Sequence, residues 1–246
     1  MTGIHKVGRD NFYSGHRWAV PEEAVLVEGD AGDVELASQL MQAHDVDTVI
    51  HFAGHIVVPE SVTDPLKYYR NNTANSRTLL EACQNHGVKH FVFSSTAAVY
   101  GMPEGGRAAE DSPTQPINPY GTSKLMTEWM LRDLSAAGGP GYVALRYFNV
   151  AGADPQARTG QSTAGATHLI KVAVEAALGN RDFVSVFGTD FDTPDGTGVR
   201  DYIHVSDLAQ AHLLALDALL SGKDSAVYNL GNSRGYSVRE VIDVAG

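Results

Sequence analysis

Residues 89–101, KHFVFSSTAAVYG, and residues 118–128, NPYGTSKLMTE, are the two stretches that decide the fold. The first is a short run of aromatic and β-branched residues that ends in three consecutive hydroxyl side chains, as a buried strand followed by a loop does. The second follows a proline-containing loop and carries apolar residues near a helical period. Together they predict a strand and then a helix, the unit from which a parallel sheet is built.

The same alternation of strand and helix continues on both sides of these stretches. It predicts an α/β fold with a doubly wound, Rossmann-like parallel sheet. Ligands bind such a sheet beyond the carboxyl ends of its strands. The other strands are expected at VLVE (25–28), DTVIHF (47–52) and YVALRYF (142–148), and the helices at residues 33–43, 61–86 and 120–137, with Asp33 and Ser61 as N-caps.

The composition changes after Gly152. Stretches rich in Gly, Asp, Thr and Pro follow, and helical patterns occur at residues 168–178, 207–220 and 237–245. We therefore predict a partial Rossmann-like domain at residues 1–152. A smaller mixed region at residues 153–246 is expected to contribute later sheet elements and part of a ligand site.

The charge balance excludes one class of function. The chain has 18 Lys and Arg against 29 Asp and Glu, a formal net charge of −11. Proteins that bind nucleic acid through its phosphates need clustered cations, so no nucleic-acid partner is expected. A small anionic ligand remains possible, because one or two arginines in a cleft are sufficient to bind a diphosphate.

Cysteine usage and hydropathy bear on where the protein works. Cys83, the single cysteine, has no partner for an intramolecular disulfide, which fits a reducing compartment. No apolar run approaches the roughly 20 residues of a membrane span, and the first ten residues lack the apolar stretch of a secretory signal. We expect a cytoplasmic protein that does not enter the membrane. The ten histidines lack metal-ligand spacing, so no metal is expected.

A tyrosine and a lysine four residues apart, Tyr120 and Lys124, open the predicted helix after the loop PINP. This spacing puts both side chains on one helix face, where the ammonium would favour an ionised phenolate that acts as a general base. Taken alone, the pattern more often belongs to an exposed pair without chemistry. The hydroxyl residues Ser94, Ser95 and Thr96, at the end of the preceding strand, favour the chemical interpretation.

A hydroxyl residue, a tyrosine and a lysine in this order form the triad of the short-chain dehydrogenases. The resemblance extends over almost the whole chain, and it is to the UDP-glucose 4-epimerases of the extended short-chain dehydrogenase family. The last of the matching segments is the most specific for them. They are EGDAGD (28–33), DTVIHFAG (47–54), PESVTDPLKYYRNN (59–72), FVFSSTAAVYG (91–101), NPYGTSKLMTE (118–128), LRYFNVAGADP (145–155) and DGTGVRDYIHVSDLA (195–209).

The resemblance implies an NAD-dependent inversion at C4 of a UDP-hexose through a 4-keto intermediate. Tyr120 is expected to be the base, Lys124 to hold the nicotinamide ribose, and Thr96 to assist the proton transfer. The implied cofactor residues are Asp10, Asn11, Asp30, Ala31, Phe52, Ala53, Gly54, Asn72, Ser94, Tyr120, Lys124, Tyr147 and Phe148. The implied substrate residues are Thr96, Tyr120, Asn149, His168 and Arg200. Family members often dimerise through two long helices, here near residues 61–86 and 120–137.

Simpler interpretations compete at several of these positions. Phe52, Tyr147 and Phe148 are also typical core residues, and Asn72 suits an exposed helix face. By composition alone, Arg200 is an ion-pair partner for Asp195 or Asp201. His168 matches a variable substrate-pocket position and is interpreted as a packing residue rather than a catalyst.

The chain also departs from the family pattern. The family's first strand, its Gly-rich turn and its C-terminal region have no counterpart, and Ile56 stands where a lysine is usual. From these departures we expect residues 1–246 to purify without NAD and to show little or no epimerase activity, which makes an inactive or regulatory remnant the main alternative. A nucleotide-sugar 4,6-dehydratase is disfavoured, because Ala97 and Ala98 follow Thr96 where that reaction needs an acidic pair.

Overall fold

The structure is a computed structural model, and it describes residues 6–163, 165 and 167–245. Strands and helices alternate along most of it. The strands are β1 (Val7–Asp10), β2 (Val25–Glu28), β3 (Thr48–His51), β4 (His90–Ser94), β5 (Gly141–Tyr147), β6 (Asn149–Ala151), β7 (Val199–His204), β8 (Ala226–Leu230) and β9 (Gly235–Ser237). The helices are α1 (Val34–Ala43), α2 (Val58–Thr63), α3 (Pro65–Tyr68), α4 (Asn75–Asn85), α5 (Pro119–Ala136), α6 (Leu169–Ala177), α7 (Val205–Leu220) and α8 (Val238–Ala245).

Parallel pairs predominate among the strands. β1 pairs with β2, and a second sheet has the order β3-β4-β5-β8, in which β3, β4 and β5 are parallel. Parallel neighbours put their carboxyl ends at the same edge, so the residues that follow β3 and β4 are neighbours. The predicted α/β class and the four strands expected from the sequence are confirmed.

One predicted helix is interrupted. Residues 61–86 were expected to form a single helix capped by Ser61, but Ser61 lies inside α2 and its hydroxyl donates to Val58 O. Pro65 has no N–H and disfavours helical backbone at the residue before it, so α2 ends at Thr63. The carboxylate of Asp64 then caps α3. A π-helical segment, Tyr69–Ala74, separates α3 from α4. By contrast, Asp33 caps α1 as predicted, accepting from Leu36 N.

The chain divides into two compact units. The first comprises residues 1–146 and 211–229, and the second comprises residues 147–210 and 230–246. The core of the first is apolar, with Phe91, Phe93, Leu131 and Ala144 at its centre. The second contains β6, β7 and β9 in one sheet, together with α6 and α8. The boundary predicted at 152/153 stays a prediction for domains, and these units part six residues earlier, after Arg146.

Within residues 6–163, 165 and 167–245, none of the helices combines the length and the hydropathy that a membrane span requires.

Candidate active site

Lys124 is the best-defined member of the predicted triad. Asn118 caps α5 by accepting from Gly121 N at 2.8 Å, which places Lys124 in the helix one turn after Tyr120. The Lys124 side chain is buried, and its Nζ donates to Ser94 O at 3.1 Å and lies 5.0 Å from the centroid of the Phe93 ring. Burial lowers the pKa of Lys124 from 10.5 to about 8, because a charged ammonium is poorly solvated there.

Thr96 lies at the entrance to the turn that follows β4. Its hydroxyl accepts from Ala98 N at 3.1 Å and caps the 3₁₀ turn Ala97–Tyr100. This turn packs against the start of α5 so closely that a Cβ at Gly121 would lie only 2.6 Å from Ala98 O. The half-buried Tyr120 directly precedes Gly121, and its ring stands edge-on to Tyr68. The structure therefore brings the segments of Thr96, Tyr120 and Lys124 together.

Asn72 is buried and holds the loop after β3. Its Oδ1 accepts from His55 N at 2.7 Å, and its Nδ2 donates to His55 O and to Ser123 Oγ, both at 3.0 Å. The interpretation of Asn72 as an exposed helix residue is therefore wrong. In the same loop, a Cβ at Gly54 would lie 3.1 Å from Lys124 Nζ. The glycine therefore leaves space beside the Lys124 ammonium that a larger side chain would crowd.

Phe52 is exposed after β3, with 60% of its surface accessible, so its interpretation as a core residue is wrong. Its ring lies 4.7 Å from the ring of His212, and Nε2 of that histidine is 2.7 Å from Ser94 Oγ. Ala53 is exposed beside it. Phe52, Ala53 and Gly54 therefore form an accessible loop, whereas Ser94 is buried below with its carbonyl bound to Lys124.

The predicted cofactor residues Asp10, Asn11, Asp30 and Ala31 lie at and just after the ends of β1 and β2. Asn11 Nδ2 donates to Asp30 Oδ2 at 3.1 Å, and the Asp10 carboxylate accepts from Phe12 N at 2.6 Å. Ala31 O accepts from the Arg9 guanidinium at 2.8 Å. Pairing of Asp10 with Glu28 in the parallel register explains why these short loops are adjacent.

The second unit holds the remaining predicted residues. Tyr147 and Phe148 are half-buried, and Asn149 and His168 line a pocket of about 690 Å³ together with Lys171 and Tyr202. His168 is exposed and its Nδ1 lies 2.7 Å from Gln161 Nε2, so it belongs to the pocket wall rather than to a packed core.

Arg200 is exposed and donates to Val199 O at 2.7 Å, and it is not among the residues that line the pocket. The alternative of an ion pair with Asp195 or Asp201 is wrong for the described residues. Asp201 accepts instead from Asn232 N and Ser233 N, and Asp195 from Thr197 and Ser237.

Sequence reasoning missed a buried polar network below Thr96. It consists of Ser95, Tyr100, Glu128 and Arg146. Two signals were available: Arg146 interrupts the apolar run of a buried strand, and Glu128 lies eight residues after Tyr120 on the same helix. Charges at such positions are rarely buried unless they are paired.

Metal-ligating residues do not cluster within the described parts of the chain, where no group of three or more His, Cys, Asp or Glu is placed to hold an ion.

Comparison with known proteins identifies the family. The sequence model of the NAD dependent epimerase/dehydratase family matches residues 2–231. The chain belongs to this family. It is 62% identical to the UDP-glucose 4-epimerase of Azospirillum brasilense over 241 residues, which cover 98% of this chain and 69% of that protein.

Solved structures agree with the fold. The UDP-glucose 4-epimerase of Brucella ovis in complex with NAD superposes with a TM-score of 0.94 at 45% identity, over 98% of this chain and 74% of that one. The enzyme of Bifidobacterium longum, in complex with NAD⁺ and UDP, has a TM-score of 0.91 at 40% identity, over 98% and 75% of the two chains. The predicted Rossmann-like fold and NAD as the cofactor of the family are confirmed.

Proposed function

We propose that this chain is an isomerase that interconverts UDP-glucose and UDP-galactose by NAD-dependent inversion at C4. The observation that carries the proposal is the buried Lys124 ammonium, fixed by Ser94 O one helical turn from Tyr120 and beside the turn that Thr96 caps. The relatives named above as UDP-glucose 4-epimerases support the same reaction.

The residues beside Lys124 fit a dinucleotide. Gly54 leaves open the space next to the ammonium, while Asp10 and Asp30 offer carboxylates at the ends of two adjacent parallel strands. Lys124 and Asn72 would flank the nicotinamide end, and Asp10, Asn11, Asp30 and Ala31 would hold the adenosine end. When bound there, NAD⁺ supplies the acceptor for the hydride of C4 and returns it.

The chain's own residues transfer the proton of the sugar 4-hydroxyl and hydrogen-bond its oxygen. Tyr120, favoured as a phenolate by the Lys124 ammonium, takes the proton of the 4-hydroxyl, and Thr96 hydrogen-bonds the same oxygen. The 4-keto sugar then turns, and Tyr120 returns the proton after reduction of the opposite face. The reaction has no net redox change. Lys124 keeps its proton throughout and contributes its charge.

The second unit is proposed to recognise the UDP-sugar. Its pocket has walls of mixed character, in which Asn149, His168 and Lys171 provide polar groups and Leu169 and Val174 provide apolar surface. Arg200, exposed near the start of β7, is proposed as a further contact to the anionic part of the substrate.

We also propose a cytoplasmic homodimer. The reduced Cys83 is consistent with a reducing compartment, and helices α2 to α5 contain the two regions through which family members often pair.

The 4,6-dehydratase reaction is the second candidate within the family. It is disfavoured because the 3₁₀ turn after Thr96 presents Ala97 and Ala98, neither of which can transfer a proton. The departures from the family pattern predict an inactive or regulatory chain that purifies without NAD, and this third candidate would show no turnover. The relatives named above favour the active isomerase instead.

The Tyr120→Phe variant tests the proposal. Loss of a general base should lower turnover of UDP-galactose by about 100-fold or more while NAD stays bound. The control is Tyr228→Phe, which removes the hydroxyl of an exposed tyrosine on β8 and should leave turnover unchanged. Equal turnover in Tyr120→Phe and wild type would reject Tyr120 as the base.

A further inference from the structure

A buried ion pair lies between α5 and β5. The side chains of Glu128 and Arg146 are 4% and 7% exposed, respectively. Arg146 Nε donates to both carboxylate oxygens, at 3.0 and 3.1 Å, and Nη2 donates to Oε2 at 2.5 Å. This forked geometry holds both groups in a fixed orientation.

The pair contacts both ends of the segment that carries Thr96. Ser95 Oγ donates to Glu128 Oε1, and Arg146 Nη1 donates to Tyr100 Oη at 2.8 Å. The Arg146 guanidinium also lies 4.8 Å from the centroid of the Tyr100 ring. Tyr100 Oη in turn donates to Asn229 Oδ1 at 2.7 Å, so each polar group of this network has a partner. The segment from Ser95 to Tyr100, which includes Thr96, is thus held at its first residue by Glu128 and at its last residue by Arg146.

The same helix carries the base. Tyr120, Lys124 and Glu128 follow one another at intervals of four residues, which places them along one face of α5. The close approach of Gly121 to Ala98 O is a second contact between that helix and the Thr96 turn. Any shift of the turn along α5 would therefore have to break the bonds of Glu128 or move the backbone at Gly121.

We propose that Glu128 and Arg146 are positioning residues for proton transfer: they hold the Thr96 hydroxyl in register with Tyr120, acting through Ser95 and Tyr100. The proposal rests on the proposed function, because it assigns Thr96 a part in the reaction. A buried ion pair often adds little net stability compared with apolar residues, but its directional bonds fix geometry. Displacement of a catalytic group by about 1 Å can lower turnover roughly 100-fold.

A double-mutant cycle with Thr96 tests the proposal. Glu128→Gln keeps the shape of the side chain but replaces one acceptor by a donor facing Arg146, whereas Ser95→Ala removes only the hydroxyl link and leaves the ion pair in place. Each should lower kcat about tenfold or more in the wild-type background, with KM for UDP-galactose and bound NAD little changed. In a Thr96→Val background each should lower kcat less than about twofold, because the hydroxyl they position is gone.

The control is Glu81→Gln, which removes an exposed carboxylate that pairs with Arg77 on α4. It should leave kcat unchanged in both backgrounds. If the reduction of kcat in each double variant equals the product of the reductions in the two single variants, the network acts independently of Thr96. That result would overturn the proposal.

A second measurement does not depend on activity. The methyl resonance of Thr96, assigned by its absence in Thr96→Val, should move in Glu128→Gln and Ser95→Ala but not in Glu81→Gln. An unmoved resonance would also overturn the proposal. If the wild-type chain does not convert UDP-galactose, the proposed function fails, and this resonance alone decides whether the network positions Thr96.

Discussion

Lys124 places a charge where water has little access. Its ammonium is held by Ser94 O, lies against the Phe93 ring and faces the open space at Gly54. A lysine in such a place loses solvation, which is why its pKa falls to about 8. The same position gives its charge a strong effect on neighbouring groups, because little solvent screens it.

The lowered pKa predicts how stability depends on pH. Between about 8 and 10.5 the unfolded lysine binds a proton that the folded one has released, so the free energy of unfolding should rise with pH over this window. A shift of this size corresponds to a rise on the order of 3 kcal/mol. Lys124→Met should lack this rise, as measured by denaturant unfolding from pH 7.5 to 10.5. Lys223→Met, at an exposed position, should retain it. Parallel curves for wild type and Lys124→Met would contradict the assignment.

Sequence reasoning identified the reactive side chains but not their supports. Tyr120 and Lys124 follow from spacing on one helix, because residues four apart share a face. The clamp that Asn72 makes on His55, and the bond from Ser94 O to Lys124, join residues 17 and 30 positions apart. Such contacts depend on how the strands and helices pack, and no local pattern encodes them.

At the scale of elements, α5 carries three of the proposed functional and positioning side chains on one helix. Asn118 fixes its start, the next two turns carry Tyr120 and Lys124, and the third carries Glu128. Its N-terminal turn reaches the loop after β4 only because position 121 is glycine. The relative placement of α5 and the Thr96 turn therefore depends on this close backbone approach.

Gly121→Ala tests that dependence. The added methyl group would lie 2.6 Å from Ala98 O, and a backbone oxygen yields less readily than a flexible side chain. Overpacking of this kind should lower the free energy of unfolding by about 1–3 kcal/mol, and kcat should fall more than KM changes. Gly160→Ala is the control, since its nearest neighbour would be at an ordinary 3.6 Å. Wild-type values for Gly121→Ala in both measurements would show that the contact does not position α5.

The broken helix shows which element boundaries a sequence can reveal. Pro65 was a readable signal, because proline disfavours helix at the residue before it, and the end of α2 could have been predicted. The π-helical segment Tyr69–Ala74 could not, because its extra residue per turn reflects packing. Within it, Asn72 O accepts from Ser76 Oγ at 2.6 Å, and the Asn72 side chain holds the loop at His55.

At the scale of the whole molecule, the strand and helix alternation was enough to predict the α/β class. It was not enough to predict that residues 211–229 pack with the first unit, because long-range contacts decide this. The pocket of the second unit also depends on long-range contacts. Asn149 and His168, which line it, are 19 positions apart and come together only in the folded chain. The resemblance named both residues, and the physical pattern of the sequence alone would not have joined them.

The central claim is inversion at C4 with return of the same hydrogen. Its most direct test is to incubate the purified chain and NAD with UDP-galactose deuterated at C4, and to follow the sugar resonances by NMR. The account predicts UDP-glucose that still carries deuterium at C4, formed until the two sugars reach equilibrium. Unchanged UDP-galactose, or a product that has lost its 6-hydroxyl, would contradict it.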